Sequence, residues 1–391
     1  MIKRRDADTV VNVVISSIFC FFTFLYLYFF QNDLLAYAQY ILSEGTTTYN
    51  SLVGAFIITC FLLCVSFISA KTVVKNLSFF PIFFHLPSIL ILASVTDVHF
   101  VDKGEKNVFG CTWIAALIIL SILLIINALA KNINKIISLR NVSVIKEISI
   151  NLFILFFMLI LAVISANTSY NDHLILREER LINAGKFIKA TKVLENCKAN
   201  NPTLTVLKAF SLAKSNDLGE SFFEGPIVGG SENLIPLNKI QLKMISPYTI
   251  FKELGGVPAN GLYVREYLEI MDRKKMISSI GKEYLLTACL MDCDLDGFVK
   301  YYVQYYDTTR VVPKHYKEAL VLYAHLRSKP IAVYSFPEVE ADFDDFKATK
   351  KQYPDKTLSE NVLRDTYGNT YWYYYFFTTS SAFTQSVSKE N

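Results

Sequence analysis

Residues 181–202 read LINAGKFIKATKVLENCKANNP. Leu181 and Ile182 end an apolar-periodic stretch, Ala184-Gly185 supplies a tight turn, and Phe187, Ala190 and Leu194 resume apolar spacing at steps of three and four. That pattern predicts two short helices folded against each other, because glycine tolerates the left-handed backbone that ends a helix. Phe187 and Ala190 set a large residue against a small one at the crossing, Leu194 continues the stripe, and Pro202 is predicted to close the second helix. A weaker copy follows about 31 residues on, in TLTVLKAFSLAKSNDLGESFF (203–223), with Asn216 in the place of Gly185 and Leu218 in that of Phe187. A third is YLLTACLMDCDLDGFVKYYVQYY (284–306), turning near Cys293-Asp294 with Leu295 in the anchor position. PKHYKEALVLYAHL (313–326) then opens on a proline in its first turn and keeps helical spacing. Between them, 225–261 carries Gly225, Pro226, Gly229, Gly230, Pro236, Pro247, Gly255, Gly256, Pro258 and Gly261, and reads as an irregular insert.

The 181–202 stretch resembles the tetratricopeptide repeat, whose helix hairpin runs approximately A-G-x-Y-x-x-A-x-x-x-L with a later proline; the match covers about one repeat well. The resemblance implies an irregular stack of helix pairs over 168–391, an arrangement that makes extended concave surfaces for binding other proteins.

Upstream the chain changes character. Residues 1–167 hold 11 of the 39 Lys and Arg and 8 of the 35 Asp and Glu, leaving 28 and 27 for 168–391, although the chain as a whole is 52% hydrophobic. Five uncharged stretches, 11–30, 52–70, 77–96, 111–130 and 148–166, are long enough to cross about 30 Å of hydrocarbon at about 1.5 Å per residue. Basic residues cluster at Lys3-Arg4-Arg5, at Lys71 and Lys75, and at Lys131, Lys135, Arg140 and Lys146, whereas 31–51 has none. Basic flanks stay cytoplasmic, so the N-terminus is predicted inside and 168–391, after an odd number of spans, outside. The first span could be read as a secretion signal with Ala36-Tyr37-Ala38 beyond it, but its apolar run of about 20 residues exceeds a usual signal core and four more spans follow, so it reads as an anchor. The fold class is therefore all-α, a five-helix transmembrane bundle followed by an exported helical-repeat domain with an insert.

That arrangement resembles uncharacterised multi-spanning membrane proteins of Bacteroidota-type bacteria. The resemblance implies the bacterial inner membrane with the C-terminal domain periplasmic, and no activity.

Few motifs carry chemistry. Asp292, Asp294, Asp296 and Gly297 copy the first half of a calcium loop, but the twelfth position, which should supply a bidentate Glu, is Val303. The same residues fit an acidic turn between helices, with Asp favouring the start of the second. Among the exported residues, Cys197, Cys289 and Cys293 are too few for a paired framework, and His173, His315 and His325 show no metal-ligand spacing; no nucleophile elbow or phosphate loop is present. His85, between Pro81 and Pro87 in a span expected to kink, is the ionisable residue inside a span, either a packing residue or a ligand or proton site. Near-neutral charge on 168–391 excludes a nucleic-acid partner. No cofactor is implied.

Residues 371–377 read YWYYYFF, too short to be a sixth span. Thr357 and Glu360 have capping-box spacing, and from there Leu358, Val362, Tyr367, Tyr371, Tyr374 and Tyr375 form a stripe on a closing helix bent at Gly368. Trp372, Tyr373, Phe376 and Phe377 then face elsewhere. Tyr371, Trp372, Tyr373, Tyr374 and Tyr375 thus serve packing, membrane contact or a sugar-stacking platform.

Two functions fit. One is a non-catalytic cell-envelope protein, anchored in membrane lipid, whose repeat domain scaffolds a protein partner. The other is a subunit of an envelope glycan or lipid enzyme or transporter, with His85 and the outer-face residues Asp97, His99 and Asp102 near its site.

Overall fold

The computed structural model describes residues 4–71, 81–101, 105–133, 144–195, 201–237, 240–259, 261–306 and 311–378. Their regular structure is helical, with no strand among the described residues beyond a single antiparallel bridge between Val98 and Phe109. The chain divides into two compact units, 1–176 and 177–391.

The first unit contains α1 (Arg4–Leu25), which runs on as a π-helical turn over Tyr26–Phe30, then α2 (Asn32–Leu42), α3 (Ser51–Lys71), a 3-10 turn Pro81–Phe84, α4 (Leu86–Thr96), α5 (Thr112–Ile133) and α6 (Val144–Ser165). Thr9–Phe30, Ser51–Lys71 and Ile145–Ser165 are long and apolar enough to cross a bilayer. The polarity of α3 is reversed relative to a water-soluble helix. Its buried face is Ala55, Thr59, Leu62, Ser66 and Ser69, while Phe56, Ile57, Phe61, Phe67 and Ile68 point outward. Such a face costs least against hydrocarbon, where small inward residues let helices approach closely. Val11, Ile15 and Phe19 on α1, Leu62 on α3, Leu92 on α4 and Leu155 and Leu159 on α6 form the core.

The sequence predicts one kinked helix over 77–96; in the described part the α-helix begins at Leu86, and 77–80 lie outside the described residues. Pro87 sits in the first turn of α4. A proline there lacks an N–H that has no partner anyway, so it starts a new helix instead of bending an old one. At 11 residues, α4 spans about 16 Å and does not cross a membrane alone. Residues 31–51, expected to be a connecting loop, contain α2, whose residues from Asn32 to Ala38 are buried. The Tyr37 hydroxyl accepts the Val101 N–H at 3.1 Å.

The second unit consists of the rest of α7 (Tyr170–Asn183), α8 (Phe187–Glu195), α9 (Pro202–Lys214), α10 (Leu218–Ser221), α11 (Pro247–Leu254), α12 (Val264–Arg273), α13 (Ser279–Met291), α14 (Leu295–Tyr305), α15 (Lys314–Leu326), α16 (Pro337–Gln352), α17 (Lys356–Tyr367) and α18 (Tyr371–Tyr373), which ends in a π-helical turn Tyr374–Thr378. One turn recurs. Gly185, Asn216, Gly255, Lys275 and Cys293 all have positive φ, and each donates its N–H three residues back while the next residue donates five back. This pair of bonds satisfies carbonyls that a helix end leaves without partners. The residue two beyond the turn is apolar at Phe187, Leu218, Ile277 and Leu295, and begins or precedes the next helix.

Pro202 does not close α8. It is the first residue of α9, behind Asn201, whose side chain accepts the Thr203 N–H at 2.8 Å. Phe187 packs edge-on against Phe210 of α9 with ring centroids 6.3 Å apart, and Ala190 is buried. The insert is less irregular than predicted, since Pro247 and Gly255 bracket α11. Glu179 ties it down by accepting the N–H groups of Lys243, Met244 and Ile245 in succession.

Candidate functional site

The aromatic run closes the second unit from its C-terminal side. α17 does not carry its stripe through to the run. It starts at Asp355, whose carboxylate accepts the Leu358 N–H at 2.8 Å, so the cap is Asp355 and not the expected Thr357. Helical geometry breaks between Gly368 and Thr370, and Thr370, extended, starts α18 by accepting the Tyr373 N–H. The new start rotates the run. Tyr371, Trp372, Tyr374 and Phe377 turn inward, Tyr373, Tyr375 and Phe376 are half-buried, and Leu358 is 51% exposed. Trp372, expected on the outer side, is 1% exposed.

Each buried member of the run has a defined partner. Trp372 packs against Phe343 and Phe346 of α16 at 5.0 and 6.0 Å, and its indole N–H donates to the Glu318 carbonyl at 2.8 Å. The Tyr371 hydroxyl donates to the Leu290 carbonyl at 3.1 Å and that of Tyr374 to the Met291 carbonyl at 3.0 Å. Both carbonyls belong to the last turn of α13, so the two phenols finish the capping that the Cys293 turn begins. Phe223 stands edge-on to Tyr371, Tyr374 and His315 at 5.1, 4.8 and 5.3 Å.

A residue that sequence reading passes over holds this arrangement. Glu318 on α15 accepts the backbone N–H of Tyr371 at 2.7 Å and pairs with His315 Nδ1 at 2.9 Å, all of them buried. Its carboxylate therefore lies at the N-terminal end of α18, where negative charge is favoured. Glu283 does a similar service one layer away, accepting the hydroxyls of Tyr306 and Tyr316 at 2.7 Å each. The tyrosines that define both glutamates arrive from other helices, and only the His315–Glu318 pair, three residues apart on α15, is local.

The three aspartates go to three different places. Asp292 accepts the N–H and hydroxyl of Ser231 at 3.1 and 2.8 Å. Asp294 caps α14 through the Gly297 N–H at 2.9 Å and pairs with Arg265 at 2.5 Å. Asp296 holds Arg327 at 2.6 Å, and this exposed pair keeps its carboxyl below the usual range. Among the described residues no group of three His, Cys, Asp or Glu side chains converges for a metal ion. Cys289 is buried, which pushes its thiol up to about 12, and Cys197 lies outside the described residues.

In the first unit, His85 sits at the junction of α1, α3 and α4. Its Nε2 lies 3.1 Å from the Ser16 hydroxyl and its Nδ1 3.0 Å from that of Ser66. Ser66 meets the Ser88 hydroxyl at 2.7 Å, and Ser88 donates to the Leu62 carbonyl at 2.6 Å. One assignment satisfies every group: Ser16 donates to Nε2, Nδ1–H to Ser66, Ser66 to Ser88, and Ser88 to the carbonyl. Phe19 covers the ring at 4.8 Å. Asp97 is also occupied, bonding His99 at 3.0 Å and the Thr112 N–H at 3.2 Å; Asp102 lies outside the described residues.

α7 carries a contrast that neither composition nor spacing announces. Glu179 accepts three backbone N–H groups, yet burial outweighs them and pushes its carboxyl up to about 7. Its neighbour Glu178 is buried with neither oxygen hydrogen-bonded, and burial pushes it up to about 8.

Residues 270–378 match DUF6057, a family of unknown function, so the matched stretch runs from the end of α12 through the aromatic run. No curated protein and no solved structure matches the chain.

Proposed function

We propose that this chain is a non-catalytic membrane anchor of the bacterial envelope that presents a tetratricopeptide-like helical unit to a protein partner. In this reading the three long apolar helices, together with α4 and α5 and the segments flanking them, make five spans, and 168–391 lies on the periplasmic side. The recurring left-handed turns at Gly185, Asn216 and Cys293 support a repeat ancestry for the helix pairs. The observation that carries the reading is where polar and apolar groups end up. The aromatic run, Glu318, His315 and the three aspartates are engaged in internal contacts, while Ile331 and Val333 stand 74% and 70% exposed on a segment without regular secondary structure. That segment is held in place by the Tyr323 hydroxyl accepting the Ile331 N–H at 3.1 Å and by Tyr334 lying edge-on to Tyr302. A fixed segment with two apolar side chains turned outward suits an apolar surface on another protein. The alternative, a subunit of a glycan or lipid enzyme or transporter with His85 at its site, is less favoured because both ring nitrogens of His85 are already engaged.

The test is a photo-crosslinking amino acid placed at Ile331, Val333 or, as a control at an exposed charged position, Glu266, in the full chain in its own membranes. One protein adduct of defined mass at 331 and 333 and none at 266 is expected. Equal labelling at all three, or none, removes the proposal.

A further inference from the structure

Two connections of the second unit meet at one place. The chain leaves α11 at Gly255, and a side chain built there would strike the Met276 carbonyl in the turn between α12 and α13. Ser278 ties the two together, its N–H donating to the Leu254 carbonyl at 2.9 Å and its hydroxyl to the Glu253 carbonyl at 2.6 Å. Two apolar side chains stand outward at this junction, Val257 at 62% and Met276 at 54% exposed. The same two connections carry four exposed cations, Lys252 in the last turn of α11 and Arg273, Lys274 and Lys275 in succession at the end of α12. None of the four forms an ion pair among the described residues, and the neighbouring carboxylates are taken: Glu253 pairs with Lys214 and Glu269 with Arg265, each at 3.0 Å, and Asp272 meets Gln304 at 3.5 Å. A cation in the last turn favours a helix dipole, which accounts for Lys252 and Arg273. Lys274, Lys275 and the exposed apolar pair are left without an internal role.

We propose that this junction docks on the bilayer itself, its cations meeting the phosphates of anionic phospholipid and Val257 and Met276 entering the acyl boundary beneath them. Charge complementarity selects that occupant. An anionic lipid surface sets negative headgroups directly over hydrocarbon, and the junction offers cations beside exposed apolar side chains to match both. The unit as a whole is near neutral, with 28 basic and 27 acidic residues over 168–391, so any attraction to such a surface must be local. The membrane is also within reach. Only residues 166–169 separate α6 from α7, which runs on into this unit, and a tether that short raises the effective concentration of the bilayer enough for a small patch to hold.

The inference rests on the membrane-anchor reading of the first unit, which reporter fusions test separately; nanodiscs have two equivalent faces, so contact at position 276 is read whichever compartment holds the second unit. The full chain carrying Trp113→Phe and Met276→Trp is placed in nanodiscs of equal parts phosphatidylglycerol and phosphatidylcholine, both brominated near the glycerol end of their acyl chains, with buried Trp372 as the background. Emission should fall by about a quarter or more against the same discs without bromine, whereas Glu266→Trp in place of Met276→Trp should leave it unchanged. The quenching should be lost in discs of brominated phosphatidylcholine alone. It should also be lost in Lys274→Gln, Lys275→Asn, where asparagine tolerates the positive φ of position 275. The proposal is overturned by no quenching at position 276, by equal quenching at 266, by quenching that survives removal of the lipid charge or of both lysines, or by a photo-crosslinker at 276 that captures an acidic protein instead of lipid in native membranes.

Discussion

Removing two oxygen atoms from the aromatic run should measurably loosen the second unit. In Tyr371→Phe, Tyr374→Phe the rings remain and only the hydroxyls that reach the end of α13 are lost. The Leu290 carbonyl keeps the Cys293 N–H at 3.1 Å, so that loss costs about 0.5–1.5 kcal/mol. The Met291 carbonyl lies beyond the last helical N–H and relies on Tyr374, and leaving it unsatisfied costs about 1–2 kcal/mol. The double variant should therefore lose about 1.5–3.5 kcal/mol, which at a urea dependence of about 2–3 kcal/mol per molar moves the midpoint down by about 1 M. The chain has two tryptophans, so Trp113→Phe leaves buried Trp372 as the only indole and its emission reports this unit alone. Tyr373→Phe, at a half-buried position, is the control and should shift the midpoint by about 0.5 kcal/mol or less. If the double variant unfolds at the same urea concentration as its parent, the hydroxyls are idle and the run does not cap α13.

Three further outcomes are expected. Ala190→Trp, at a buried helix crossing, should cost about 1–3 kcal/mol by overpacking, and an unchanged melting temperature would remove the α8 packing described here. His85→Leu should destabilise the first unit by about 1–3 kcal/mol because Ser16 and Ser66 lose their partner, read by denaturation in detergent. Glu178 has its carboxyl raised by burial from an ordinary 4.5 to about 8, so the stability it contributes is full below about pH 4.5 and is lost as the pH rises through about 8. The urea midpoint of the second unit should accordingly be lower at pH 8.5 than at pH 5.5, and Glu178→Gln should flatten the difference; an unchanged slope in that variant means Glu178 is hydrated in solution.

What the sequence disclosed depended on how local the cause was. The turns at Gly185, Asn216 and Cys293 were legible because a left-handed residue followed two positions later by an apolar anchor is a short-range signal. The side of the aromatic run was not legible. Helical spacing carried from Leu358 assigns Trp372 to the outside, but the break at Gly368 and the fresh start at Thr370 reset the phase, and the π-helical turn after Tyr373 shifts it again. α2 escaped notice because Gln31, Asn32 and Asp33 look like loop residues, yet all three are buried. Pro247 and Gly255 did mark α11, since proline first and glycine last is a helix signature, but the surrounding prolines and glycines hid it. Glu283 could not be found from spacing, because the hydroxyls it accepts come from 23 and 33 residues away; at Glu318 the pairing with His315 three residues back is local, but the Tyr371 N–H that gives it its role lies 53 residues on.

The most direct measurement of a membrane anchor presenting its second unit outside the cytoplasm is a series of fusions to a reporter active in only one compartment, made after Thr47, Lys71, Lys146 and Asn167. Fusions after Thr47 and Asn167 should behave as exported and those after Lys71 and Lys146 as cytoplasmic. A cytoplasmic signal after Asn167, with or without reversal at the other three positions, would place the helical unit on the wrong side of the membrane for an envelope partner and contradict the function proposed for it.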